Sequence, residues 1–90
     1  MASFFENLDP DTAEEIEQLS RLVFELRENR NTVLKAHGAD DEAVLLQRIQ
    51  GGAVAEHPAY EHYLAARILA DTRETVRAVL AERLAEANSK

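Results

Sequence analysis

Ile16, Leu19, Val23, Leu26 and Val33 recur at alternating three- and four-residue steps, and Arg30 and His37 fall in the same seven-residue register. That spacing lays the apolar groups along one stripe of a helix, and a sustained stripe of this kind is a coiled-coil seam that must be covered by another helix. The seam opens behind Asp9-Pro10-Asp11-Thr12, where Asp9 suits the cap, Pro10 the first helical position and the acids the positive first turn. It closes at His37-Gly38, a polar last turn followed by the residue that most readily takes the left-handed conformation. The spacing predicts a helix over about 10–37.

A second cap, Asp40-Asp41-Glu42, precedes Ala43, Val44, Leu45, Leu46 and Ile49, and predicts a short helix over 41–50 that stops at Gly51-Gly52. His57-Pro58 starts the third element. From Ala59 to Ala87 there is neither Gly nor Pro, and Ala65, Ile68, Leu69, Thr72, Val76, Val79, Leu80, Leu84 and Ala87 form its expected apolar stripe, so a long helix is predicted over 58–87. Nothing reads as a strand. The fold class is therefore all-α: long, short and long helices forming a helical hairpin within one domain, 1–90, with residues 1–8 as an N-terminal arm and 88–90 as a frayed tail. Phe4, Phe5 and Leu8 in that arm are expected to pack back on the first turns of helix one.

Length turns this pattern into a statement about partners. A compact chain of 90 residues has a radius of gyration of about 12 Å, hence a diameter of roughly 30 Å. A helix over 10–37 would be roughly 42 Å long. Two such helices bury one stripe each, and the short helix between them cannot cover the rest. Phe24 also lies about 100° around the helix from Val23, outside the stripe that a single hairpin partner would cover. A homodimer completing a helix bundle is the expected remedy, with Ile16, Leu19, Leu22, Val23, Phe24, Leu26 and Val33 as the expected interface residues.

Charge narrows the function classes. The chain has 10 Lys and Arg against 17 Asp and Glu, net −7, and no Cys. The acidic balance argues against binding nucleic-acid backbone, which calls for clustered Lys and Arg, and the lack of cysteine removes disulfide frameworks and thiolate zinc sites. Residues 1–45 hold 11 acids and 4 bases, whereas residues 46–90 hold 6 of each, so the net charge lies wholly in the first half. Arg67, Arg73, Arg77 and Arg83 stand on the last helix, where they could face the acids of the first. Arg30 and Arg83 fall near the seams and are expected to snorkel or pair with Glu. With no secretory pattern and no apolar run of about 20 residues, a cytoplasmic protein without membrane contact is expected.

The densest chemistry is Glu56-His57-Pro58-Ala59-Tyr60-Glu61-His62-Tyr63. His57 and Glu61, four apart, would share a helix face and with His62 are the candidate metal ligands, although neither the zinc-protease nor the di-iron spacing is present. The alternative is a cap (His57), a plug for the hairpin end (Tyr60 and Tyr63) and solvated Glu61 and His62. No cofactor is expected and no catalytic residue is assigned: Ser3, Ser20 and Ser89 lack a local His and acid, and Gly51-Gly52 lacks the Lys of a phosphate loop. Arg73 and Arg77, one turn apart, could hold an anion, but Asp71, Glu74 and Glu82 around them favour a self-paired face.

The long-short-long order over residues 10–86, with Arg21, Arg27, Arg30, Lys35 and Arg48 among its first two helices, resembles the layout of the all-helical chorismate mutases. That resemblance implies an intertwined dimer whose bases grip a dicarboxylate. The chain departs from it at Asp40-Asp41-Glu42, where an anion site would want a base, and no catalytic residue is carried over. The expected function is a small helical protein–protein interaction module: a dimeric adaptor, regulator or accessory factor with a protein partner. The alternatives are a small-anion-binding enzyme of the chorismate-mutase layout and an acidic, antitoxin-like inhibitor.

Overall fold

A computed structural model describes residues 9–88, so the expected arm contacts of Phe4, Phe5 and Leu8 and the end of the tail lie outside the described residues. Three helices follow in order, α1 (Pro10–Lys35), α2 (Glu42–Gln50) and α3 (Glu56–Asn88), and there is no strand among the described residues. The expected all-α helical hairpin is the fold. No described helix is long and apolar enough to cross a membrane.

Local chemistry sets the ends. The Asp9 carboxylate accepts from the Thr12 N–H at 3.3 Å with Pro10 at the first helical position, and Asp41 accepts from the Val44 N–H at 2.8 Å to start α2. α1 stops at Lys35, two residues before the expected end, because its last turn tightens: the N–H groups of His37 and Gly38 donate to the carbonyls of Leu34 and Lys35, each at 3.0 Å. Gly38, at φ +67°, then reverses the chain so that the Ala39 N–H also returns to the Leu34 carbonyl. In α3 the backbone at His57 is extended (φ −110°, ψ 130°), so regular helix begins at Pro58, as the proline predicts, and runs to Asn88.

α1 and α3 pack side by side over most of their length, and α2 lies against α3. Two contacts give the register. His37 meets His62 at one end and Glu15 meets Arg83 at the other, so 22 residues back along α1 match 21 forward along α3. The α3 residues that then follow the seam are Ala59, His62, Ala66, Leu69, Arg73, Val76, Leu80 and Arg83, all buried or half-buried. The expected stripe on α3 was therefore partly wrong. Ile68 is 65% exposed and Thr72 is also exposed, because the seam turns on the small Ala66, at 0% exposure, and admits Arg73 and Arg83 in positions that a purely apolar pattern passes over.

Burial is uneven. Leu34, Ala39, Leu45, Ala59 and Ala66 form one fully buried cluster where the three helices meet, with Val33, Val44, Ile49, Val54 and Tyr63 packed around it. Further along the hairpin only Ile16 is fully buried among the described residues; Leu19, Val23 and Leu26 on α1 and Leu69, Val76, Leu80 and Leu84 on α3 are partly buried. The molecule measures 55 × 20 × 17 Å with a radius of gyration of 17.8 Å, well above the ~12 Å of a compact chain of this length. It is a rod.

Candidate interaction surface

The interface residues expected from sequence divide into three groups. Ile16 is buried within the chain, whereas Leu19, Val23, Leu26 and Val33 face the seam half-buried. Leu22 and Phe24 are exposed, at 40% and 58%. Two residues of helix turn them 200° from each other, so they stand on opposite flanks of the seam and cannot share one flat interface. On α3, Tyr60, Leu64 and Ile68 add a second exposed apolar row, four residues apart, which the apolar pattern had not separated from the seam.

On the Phe24 side, α1 carries a groove of about 580 Å³ lined by Pro10, Ala13, Glu14, Glu17 and Ser20. Three of its lining residues are small or ring-like and two are carboxylates. Glu14 accepts from the Gln18 amide and Glu17 pairs with Arg21, both at 3.3 Å. The spacing of Ala13 and Ser20, seven apart on one face, was the available sequence signal for this shallow strip.

The charged residues near the seam are largely committed. Arg30 donates to both oxygens of Glu42 in a half-buried, two-pronged pair that ties α1 to α2. Hydrogen bonding to Glu42 holds the guanidinium above its ordinary range despite partial burial. Arg83 bonds to Glu15 at 2.5 Å and to Glu86 at 3.4 Å, and the Glu15 bond is the main cause of its raised pKa. Both arginines thus pair with Glu as expected. Arg73 and Arg77 converge on a single carboxylate, Glu74, at 4.0 and 3.3 Å, the self-paired arrangement, and the Nε of Arg73 is buried without a partner among the described residues. Of the bases that the chorismate-mutase layout would recruit, Arg21 and Arg30 are paired with Glu, and the Arg48 side chain lies beside Gly38.

The candidate metal ligands are brought only partly together. His57 Nδ1 lies 2.6 Å from Glu61 on the exposed surface, but His62 faces the turn that follows α1, where its Nδ1 lies 2.7 Å from Nε2 of His37. No group of three His, Asp or Glu among the described residues could hold a metal ion. Glu61 is held below the usual carboxylate range, first by a hydrogen bond from its own backbone N–H and then by His57. The His37–His62 bond closes the hairpin base. It went unread because it needs the antiparallel register, which joins residues 25 apart.

The fold and this surface define a small all-α helical hairpin whose described side chains leave apolar groups on both flanks. Residues 12–88 match the uncharacterized protein MJ0235 family, and the chain belongs to that family. The matched span runs from the first turn of α1 to the end of α3. No curated protein and no solved structure matched the chain.

Proposed function

We propose that the protein is a helical protein–protein interaction module that works as a homodimer, serving as an adaptor, regulator or accessory factor in the cytoplasm. The observation that carries this reading is Phe24, 58% exposed on a hairpin whose middle leaves Leu19, Val23, Leu26, Leu69, Val76 and Leu80 only partly buried. Apolar groups left at a surface in this way mark association sites, and rods of two helices complete their cores by pairing into bundles. The groove rim is acidic, and most cations near the seam are already neutralised by Glu, which favours a role in binding protein over the grip of a small anion.

Sedimentation equilibrium from one to one hundred micromolar tests the proposal, with a dimer mass as the expected result. A monomer throughout that range would count decisively against it. Isolation of the tagged chain from its native cytoplasm would then show which protein partner accompanies the dimer.

A further inference from the structure

The homodimer leaves open which of the two apolar flanks is used, and the residues on α1 decide between them. At 100° per residue, Pro10, Ala13, Glu17 and Ser20 all lie within about 40° of Phe24 around the helix. The groove and the exposed phenyl ring therefore stand on one face, and Arg27 follows on the same side, about 60° away. Leu22 is on the other flank, about 160° around the helix from Phe24.

We infer that α1 pairs antiparallel with α1 of a second copy across this face, each Phe24 entering the other copy's Pro10–Ser20 groove. This inference rests on the homodimer proposed above and adds its register. Glu17 and Phe24 are seven residues apart, about 10 Å along the axis. An isologous interface requires each element to meet the other's counterpart. Placing Phe24 over Glu17 of the second copy brings Arg27 opposite Glu14 of that copy and puts the two-fold axis between Ser20 and Arg21.

Three observations support that alignment together. The depression is open and mainly apolar in its lining, a surface against which a phenyl ring can pack. Charge is complementary: Arg27 is exposed and makes no ion pair among the described residues, and Glu14 is bonded only to the neutral Gln18 amide. Finally, Ser20 and Arg21 flank the axis and face each other across it, and the small Ser20 leaves room for the second copy's Arg21 stem to lie against it. α2 packs against the buried cluster at the Leu34 end of α1 and leaves this face to the second copy.

The chain has no native cysteine, so a single introduced thiol reports position cleanly. Ser20→Cys should form a disulfide-linked dimer under mild oxidation, since residues beside a two-fold axis approach the ~4.4–6.8 Å Cα separation that a disulfide needs. Asn29→Cys, about 140° from Phe24, should not. In sedimentation, Phe24→Ser should weaken dimerisation at least tenfold and Leu22→Ser should leave it unchanged. Arg27→Glu should weaken it about tenfold, and Glu14→Arg added to Arg27→Glu should restore it, as expected for a close charge pair. All these positions are exposed, and circular dichroism confirms that each variant keeps its helices. A dimer that ignores Phe24→Ser, responds to Leu22→Ser, or cross-links through Asn29→Cys but not Ser20→Cys overturns this register while leaving the homodimer standing. A wild-type monomer removes both.

Discussion

The base of the hairpin and its open arm are built from the same two helices, yet they differ in burial. At the base, α2 adds a third element, and Leu34, Ala39, Leu45, Ala59 and Ala66 fall to 1% exposure or less. Along the arm the same heptad pattern continues on α1, but with only two helices Leu19, Val23 and Leu26 stay only partly buried, and Ile16 alone of the arm's seam residues is enclosed among the described residues. A helix pair can cover one stripe on each member and no more; enclosing a side chain from all directions takes a third helix. The contrast makes the arm the natural place for a partner and the base the natural source of the monomer's stability.

The comparison breaks most visibly under truncation. Leu45→Ala, at the fully buried centre, should cost about 3–4 kcal/mol, whereas Val23→Ala in the arm should cost about 1 kcal/mol, because a half-exposed side chain leaves a smaller void and loses less transfer energy. Urea unfolding at one protein concentration measures both. Equal losses would show that arm and base are buried alike in solution.

A smaller effect is expected at the joint between the regions. Glu42→Gln removes the charge that Arg30 binds and should cost about 1–2 kcal/mol, since a half-buried guanidinium keeps only weaker hydrogen bonds. Arg21→Gln, on an exposed pair, should cost well under about 1 kcal/mol. Comparison of the two melting temperatures checks that burial, and not the mere presence of a pair, sets the cost.

The smallest expectation concerns pH. Glu61 has a folded-state pKa lowered below its ordinary value, so its contribution is present above the unfolded carboxylate pKa and is lost as pH falls through the folded one. The group is on the surface, and the effect belongs to a local titration rather than to global stability. An NMR titration should place Glu61 below the ordinary glutamate value, and His57→Gln should move it part of the way back, the backbone hydrogen bond holding the remainder.

Much of the architecture was legible from single residues. Asp9, Pro10, Asp41, Gly38 and Pro58 each act within one turn of chain, so their effect is written where they stand. The α1 seam was legible for the same reason: its apolar residues are large and regularly spaced. On α3 apolar periodicity and burial diverge, because Ala66 is small and Arg73 and Arg83 are charged, while the large apolar Ile68 points outward. Of the interaction surface, Phe24 was legible as surplus to the seam. The groove, the opposition of Leu22 and Phe24 and the union of His37 with His62 were not separated out by that pattern.

The sequence by itself determined three helices, their caps and the excess of apolar surface over what one hairpin covers, because those depend on local hydrogen bonding, periodicity and length. Only the tertiary structure decided the α1–α3 register, the side on which α2 lies and hence which residues are fully enclosed. Those outcomes depend on how close two backbones can come, which is settled jointly by residues far apart in the chain.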